Sequence, residues 1–269
     1  MNWGKVLRRH LELFTEYFTQ YLKVRMSYRA DFLIGVATSM AATVFSLGFV
    51  LVLFTKIPRL ADWTFEQVLF LYGFSLIPFG LYNILSVNLY EFGGEYIMEG
   101  KFDRVLIRPV SSLFQVLFEN FRIESFQEVA VGLTVVIWAS VRMSYRWNIV
   151  DLALLLIFAL CGAAIYVSVF LILSCCSFWF EDRIGVHPPA WNLLAFGRYP
   201  LSIYSGFIQF FLSWIIPFGF ATFYPAVRLL HRPDFVAYAP LVPVVAAVFV
   251  IIALRIWSFG VRHYSSTGS

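Results

Sequence analysis

The chain has 269 residues, of which 60% are hydrophobic and 19% aromatic, whereas only 13% are charged. Soluble domains carry about a quarter of charged residues, so this composition excludes an ordinary soluble protein. It predicts an all-α polytopic membrane protein. The 20 basic residues outnumber the 16 acidic ones. We attribute this excess to loops beside an anionic lipid leaflet and expect no nucleic-acid partner.

Residues 1–30 predict a cytoplasmic amphipathic helix that lies in the membrane interface, because the helix would carry an apolar stripe on one side and basic residues on the opposite side. The stripe follows spacings of four and three residues: Leu7, Leu11, Phe14, Phe18 and Tyr21. The alternative is an ordinary amphipathic helix whose stripe packs on protein.

Six transmembrane helices are predicted within a domain that covers residues 31–260. About 20 apolar residues suffice to cross a bilayer, and six runs meet or approach that length. The runs are Phe32–Phe54, Gln67–Tyr90, Val129–Val141, Leu152–Phe180, Tyr199–Val227 and Phe235–Leu254. The third run has only 13 uncharged residues, so that helix must borrow Ser125–Glu128 or lie among other helices.

The distribution of basic residues predicts that both termini are cytoplasmic. With the N-terminus inside, the inner segments hold 14 Lys and Arg residues and the outer loops six of the 20 in the chain. In this count Arg183 and Arg198 belong to an inner loop. The positive-inside rule therefore places the polar stretch 91–128 and the tail 261–269 in the cytoplasm.

The sequence predicts no catalytic, metal or nucleotide site. The nearest approach to a phosphate-binding loop is Gly94–Phe102, which has one residue too many between its glycines and Phe in place of the hydroxyl. The four histidines are scattered, so no metal-ligand spacing occurs. Glu124 and Glu128, four residues apart, indicate a solvated helix start, with a paired-carboxylate ion site as the alternative.

Ionisable residues are absent from the centres of the predicted spans, which argues against a proton-coupled transporter. The fifth span instead offers aromatic residues around a proline that frees a backbone carbonyl. These residues are candidates for a translocation path for an apolar, amphiphilic or cationic cargo: Phe207, Phe211, Trp214, Pro217, Phe218 and Tyr224. The alternative is that the aromatic residues face lipid.

The stretch Glu95–Pro109 is the densest mixed-charge segment of the chain. Gly100 interrupts its first helical turn, and Pro109 ends the helix before it. Ser111 and Ser112 then cap a new amphipathic helix. Composition alone leaves open whether this segment is a docking surface or a solvated loop.

Three motifs resemble a compact six-span family of ABC-2 type transporter permeases, the viologen exporter-type permeases among them. The first is Gly100-Lys-Phe-Asp-Arg-Val-Leu-Ile-Arg-Pro109 followed by Ser-Ser-Leu-Phe-Gln-Val-Leu117. The others are Arg198-Tyr-Pro-Leu-Ser-Ile-Tyr204 and Ile216–Ala226, which contains Pro-Phe-Gly-Phe-Ala-Thr-Phe-Tyr-Pro. The resemblance covers nearly the whole chain in length, span count and topology.

The resemblance implies one permease half with a type V exporter-like fold in a bacterial cytoplasmic (inner) membrane. The half would pair with an identical or homologous permease and with two ATPase subunits, which bind ATP and Mg while this chain binds no cofactor. The implied ATPase-coupling residues are Glu95, Glu99, Gly100, Lys101, Phe102, Asp103, Arg104, Arg108 and Pro109. The alternatives are a membrane scaffold without transport activity and, less compatible with the residues, a membrane-embedded enzyme.

Overall fold

A computed structural model describes residues 14–23, 27–180 and 187–266, without the side chains of Ser86 and Val87. In these ranges the regular structure is helical, apart from one isolated bridge between Leu60 and Trp63, so the all-α prediction is confirmed. We label the helical residues 14–23 α1. The other α-helices are α2 (Arg29–Lys56), α3 (Phe65–Tyr90), α4 (Lys101–Leu106), α5 (Ser112–Phe118), α6 (Phe126–Arg142), α7 (Ile149–Cys175), α8 (His187–Leu193), α9 (Gly206–Phe210), α10 (Phe218–Ala221), α11 (Phe223–Leu229) and α12 (Val242–His263).

Five helical stretches of the described chain are long and apolar enough to cross a membrane, and a bent pair makes a sixth. This number agrees with the six predicted spans. The short third span becomes long enough because a 3₁₀ turn at Ile123–Ser125 leads directly into α6, giving 20 residues from Ile123 to Arg142. Ser125–Glu128 therefore does belong to the third span.

Helix α3 lies at the centre of the bundle, between α6 and α7. In its apolar window 83% of the residues are buried, compared with 11% in the window of α2. Close contact between α3 and α6 depends on glycine: a Cβ atom on Gly132 would lie 2.7 Å from the Gly73 carbonyl oxygen, and one on Gly80 would lie 2.7 Å from Val129. Small residues let helices approach in a membrane, where dispersion contacts replace the hydrophobic effect.

The predicted fifth span, Tyr199–Val227, is not a single helix. The chain runs through α8 and 3₁₀ turns at Leu194–Arg198 and Leu201–Ile203, then through α9 and a π-helical turn, Phe211–Ile215. It bends by 72° between Gly206–Ile215 and Phe218–Leu229. Pro217 lies in this break, because it lacks the N–H that would continue the helix.

Pro225, in contrast, causes no break, since it lies in the first turn of α11, where the proline ring is tolerated. After the break at Pro217 the backbone approaches α7 closely: a Cβ atom on Gly162 would lie 2.5 Å from the Ala221 carbonyl oxygen.

The sixth span is longer than predicted. Helix α12 runs to His263, so the predicted boundary of the tail at residue 261 falls inside it.

Candidate functional site

The stretch that begins after α3 folds into a short series of helices. A π-helical turn at Phe92–Met98 ends before Gly100, whose φ of 71° is in the left-handed region that glycine adopts without strain. Helix α4 follows and ends before Pro109. The Ser111 hydroxyl then caps α5 by accepting a hydrogen bond from the Phe114 amide at 3.5 Å. The predicted break and stop are therefore confirmed, and so is the cap at Ser111, whereas Ser112 is the first residue of α5.

Phe102 anchors α4 in a buried aromatic cluster. Its ring is fully buried and lies 5.6 Å from that of Phe92, 5.5 Å from Phe178 and 5.8 Å from Trp257, centroid to centroid. Phe178 follows α7 and Trp257 belongs to α12, so the cluster joins α4 to two spans. Gly260 permits this packing, because a Cβ atom there would overlap the Phe178 ring.

Asp103 ties α4 to the end of the described chain. Its carboxylate accepts hydrogen bonds from the Tyr264 hydroxyl at 3.0 Å and from the Ser266 hydroxyl at 2.7 Å. Burial raises the pKa of Tyr264 to about 12, and the Asp103 carboxylate beside it adds to this shift. The segment after α12 is thus held against α4.

Lys101 holds the π-helical turn and α5 together. Its ammonium group lies 3.1 Å from a Glu95 carboxylate oxygen, 3.7 Å from one of Glu119 and 4.5 Å from the centre of the Tyr96 ring. The Tyr96 hydroxyl donates a 2.5 Å hydrogen bond to Glu119. Burial, and then this hydrogen bond, raise the pKa of Tyr96 well above its usual value. Every charge in this group therefore has a partner.

The N-terminal helix joins the same end of the bundle. Phe14 packs edge-on against Phe118 at 5.4 Å, and Phe18 and Tyr21 pack against Phe121 at 5.6 and 5.8 Å. This part of the predicted stripe contacts protein, whereas Leu7 and Leu11 lie outside the described residues. A position of the helix in the membrane interface remains a prediction.

The surface of this end is formed by the residues from Glu99 to Pro109 that point away from the cluster. We call the exposed residues Glu99, Arg104, Leu106, Ile107, Arg108 and Pro109 the tip. Ile107 is 82% exposed. Within the described part of the chain, no carboxylate lies within ion-pair distance of Arg104 or Arg108. The tip therefore combines unpaired basic groups with an exposed apolar side chain, as docking surfaces do.

The structure thus separates the predicted coupling residues into two groups. Glu95, Lys101, Phe102 and Asp103 fix the segment in place, with Gly100 as its turn, while Glu99, Arg104, Arg108 and Pro109 form the tip. We did not predict from the sequence the structural partners Glu119, Trp257, Tyr264 and Ser266, or the exposed Leu106 and Ile107. The two apolar residues inside a charged segment were a signal that could have been used.

The six predicted path residues do not come together in one place. Phe207 and Trp214 are 76% and 47% exposed at the outside of the bundle, whereas Phe218 is fully buried against Tyr166 of α7. Tyr224 shares a 2.7 Å hydrogen bond with Ser213. Phe211 stacks on Phe207, and Pro217 lies in the chain break. Neither of the two cavities described below is lined by any of the six.

A polar cavity of about 330 Å³ lies between the middle of α2 and the middle of α3. Its lining residues are Thr38, Ser39, Ala42, Thr43, Ser46, Leu76, Phe79, Asn83, Arg122, Glu128, Trp191 and Arg198. A second cavity, of about 410 Å³, is lined almost entirely by aliphatic residues of α3, α5, α7 and α12. Only the first cavity contains charged groups.

Glu128 forms part of the wall of the polar cavity. Its carboxylate accepts a hydrogen bond of 2.9 Å from the Asn83 amide and one of 3.4 Å from the Ser39 hydroxyl. Glu124 and Glu128 are only 5% and 6% exposed. The prediction that they form a solvated helix start is therefore wrong, because the 3₁₀ turn before α6 places both carboxylates against the other helices.

Arg198 is the second correction. The sequence predicts that it lies in an inner loop, but in the structure it packs against the middle of α3. Its guanidinium lies 5.1 Å from the centre of the Phe79 ring and 5.7 Å from that of Tyr72, and it donates a 3.5 Å hydrogen bond to the Tyr72 hydroxyl. An ionisable group therefore does lie among the spans, because the 3₁₀ turn Leu194–Arg198, which precedes the broken fifth span, packs against α3.

The described residues contain no group of three or more His, Cys, Asp or Glu side chains that could hold a metal ion. Comparison with curated proteins and with solved structures gave no match. A family model described as "ABC-2 family transporter protein" matches residues 40–268. This range includes α3, the tip, α12 and the lining of both cavities except Thr38 and Ser39. The multiple apolar helices and this match agree with the resemblance seen in the sequence motifs. The chain is a multi-pass membrane protein, and it belongs to the ABC-2 family of transporter proteins.

Proposed function

We propose that this chain is the permease subunit of an ATP-driven exporter and that a separate ATPase subunit docks on the tip. The observation that supports this most strongly is the contrast between the tip and the residues that hold it in place. We call these residues, Glu95, Lys101, Phe102 and Asp103, the support of the tip. Arg104, Ile107 and Arg108 are exposed, while Phe102 and Asp103, which precede them in the chain, are fixed to the bundle. A force applied to such a tip reaches the spans.

The force would reach two spans by named contacts. Phe102 packs against Phe178, which follows α7, and against Trp257 of α12. Trp257 also donates a 3.3 Å hydrogen bond to the Ser112 hydroxyl at the start of α5. The Gln115 amide donates to the carbonyl oxygens of Val105 and Val110, which joins α5 to α4. A displaced α4 would therefore carry the ends of α7 and α12 with it.

The proposed orientation places the tip, both termini and residues 91–128 in the cytoplasm of a bacterial inner membrane. The positive-inside count supports it. An ATPase in the cytoplasm would then meet the tip directly. The N-terminal helix packs on Phe118 of α5 through Phe14 and on the following Phe121 through Phe18, so it would border the same docking surface.

The complete exporter would contain two ATPase copies and a second permease, identical or homologous. The resemblance of the sequence motifs to ABC-2 permeases and the family match support a second permease. ATP and Mg would bind to the ATPase subunits, with no cofactor on this chain. We expect an apolar or amphiphilic cargo.

The test is co-purification of the full chain with an ABC ATPase encoded beside its gene, followed by ATP-dependent export from vesicles. The double variant Arg104→Ala, Arg108→Ala should lose the ATPase while still inserting into the membrane. Arg146→Ala is the matched control, because Arg146 is an exposed arginine in the turn between α6 and α7, at the opposite end of the bundle.

Two results would contradict the proposal. Transport by the purified chain without any nucleotide-binding partner would exclude ATP-driven coupling. An unchanged ATPase association in the double variant would exclude the tip as the docking surface. If the chain binds partners but no cargo stimulates ATP hydrolysis or crosses the vesicle membrane, the scaffold alternative holds instead.

A further inference from the structure

Arg198 holds a positive charge among the membrane helices without a carboxylate partner. In the described parts of the chain, no Asp or Glu oxygen lies within ion-pair distance of its guanidinium. Its contacts are two aromatic rings and one tyrosine hydroxyl. Ionisable residues inside a bundle are energetically unfavourable and mark binding sites or ion pathways. Because Arg198 lines the polar cavity, the missing partner would be a ligand there.

The charges around the cavity favour an anion over a cation. The other charged groups that face the space are Arg122 and Glu128. The two oxygens of Glu128 already accept hydrogen bonds from Asn83 and Ser39. The face of Phe79, which could attract a cation, already carries the Arg198 guanidinium. A cationic ligand would find its two best partners taken and two guanidinium groups nearby.

The position of the cavity favours an amphiphile over a small soluble anion. One wall is a polar stripe of α2 formed by Ser39, Thr43 and their neighbours. On the same helix, directly beside this stripe, Val44 and Phe45 are 59% and 78% exposed. An acidic head group inside the cavity would thus place its hydrocarbon chain along the apolar surface of α2.

We propose that the polar cavity binds the phosphate or carboxylate head group of an anionic amphiphile, with Arg198 as its principal partner. A guanidinium offers five N–H donors in a planar fork that matches the oxygens of such groups. Asn83 and the hydroxyl groups of Ser39 and Thr43 line the same cavity. The binding itself needs no ATPase; only the identification of this ligand as cargo rests on the proposed function.

The test is titration of the purified full chain in a nonionic detergent, with bound ligand counted by native mass spectrometry. The probes are dodecyl phosphate, dodecyltrimethylammonium, which has the same chain but the opposite charge, and inorganic phosphate, which has no chain. Dodecyl phosphate should bind more tightly than both. Arg198→Gln should weaken its binding about tenfold, the effect of losing a charged hydrogen-bond partner.

Two further variants keep the test decisive. Arg146→Gln, which removes an exposed arginine far from the cavity, should bind dodecyl phosphate like the unaltered chain. Ala42→Trp should block binding by filling the cavity from the exposed side of α2 while every charge stays in place. If Arg198→Gln does not purify as a folded protein, Ala42→Trp gives the answer alone.

Equal affinity of dodecyl phosphate for the unaltered chain and for Arg198→Gln or Ala42→Trp would overturn the proposal. Binding of dodecyltrimethylammonium more tightly than dodecyl phosphate would overturn the preference for an anion. Equal affinities for inorganic phosphate and dodecyl phosphate would overturn the inference that the ligand is an amphiphile. None of these results depends on the ATPase. A failed co-purification with the ATPase would therefore contradict only the proposed function. A failed titration would contradict only the proposal that the polar cavity binds an anionic amphiphile.

Discussion

At the tip end of the bundle, Lys101 lies 3.1 Å from Glu95 and 3.7 Å from Glu119. In the polar cavity, the Arg198 guanidinium has aromatic rings and one hydroxyl beside it, and no carboxylate of the described residues within ion-pair distance. A basic group with fixed partners stabilises one geometry. A basic group without them keeps its binding capacity for another molecule. The first region is therefore suited to transmit a displacement, and the second to hold a ligand.

The largest expected effect comes from removing the anchor of α4. Phe102→Ala should lower the free energy of unfolding by about 3–5 kcal/mol, because it leaves a cavity inside the fully buried cluster. The measurement is unfolding in mixed micelles with increasing sodium dodecyl sulfate. Phe207→Ala is the control, since that ring is 76% exposed, and it should change the free energy little. Equal effects in both would show that the cluster does not hold the tip.

Removal of the paired charge should destabilise the tip end. Lys101→Met leaves Glu95, Glu119 and the Tyr96 ring without their cation, and we expect a loss of about 1 kcal/mol for this half-buried group. The control is Lys56→Met at the exposed end of α2, for which no change is expected. The same unfolding assay separates the two variants.

Replacement of the unpaired Arg198 by methionine should change the free energy of unfolding in the opposite direction. Arg198→Met should raise the free energy of unfolding by less than about 1 kcal/mol in ligand-free protein. Methionine fills similar space and the desolvated guanidinium is removed, but the buried Glu128 carboxylate loses part of its electrostatic compensation. Arg146→Met should have no effect. A destabilisation as large as that of Lys101→Met would mean that Arg198 is a structural residue, and the comparison between the two regions would fail.

Arg198 also marks the limit of what the sequence could predict. The number of spans, the break at Gly100 and the Ser111 cap follow from apolar run length and local backbone preferences, and these were predictable. The path of residues 187–229 was not, because it depends on Gly162 admitting the backbone near Ala221. Once that chain segment enters the bundle, Arg198 must enter with it. Such long-range contacts leave no periodic signal.

The tip itself shows the same division. The charged residues from Glu95 to Arg108 were visible in the sequence, but which of them are exposed was not. Asp103 and Arg104 are neighbours in the chain, yet Asp103 accepts bonds from Tyr264 and Ser266, about 160 residues later. Only the folded structure brings these partners together.

A smaller effect is expected from the contact between Asp103 and Tyr264, and it should depend on pH. The pKa of Tyr264 is raised from 10.0 to about 12 in the folded state. Its contribution to stability is therefore present below pH 10 and is lost as the pH rises to about 12. Below pH 10, Tyr264→Phe should unfold at slightly lower denaturant than the unaltered chain, by less than about 1 kcal/mol because the pair is partly exposed.

The difference between the unaltered chain and Tyr264→Phe should disappear over that alkaline range. Asp103→Asn serves as the control, because the amide does not repel a phenolate, so its dependence on pH should be weaker. A difference that stays constant, or grows, as the pH rises would show that the hydroxyl does not donate to Asp103. The end of α12 would then be free of α4.

The smallest effect on stability is expected at the tip, where the effect on the partner should be greatest. The double variant Arg104→Ala, Arg108→Ala removes two exposed side chains, so the free energy of unfolding should change by less than about 0.5 kcal/mol. Lys101→Met should do the reverse. It should lower the free energy of unfolding by weakening the support of the tip, while the exposed surface of the tip stays in place. Measuring ATPase binding and unfolding on the same two variants therefore distinguishes a docking surface from its support. If the double variant unfolded as readily as Lys101→Met, the two arginines would belong to the support of the tip, and the ATPase would have to dock elsewhere.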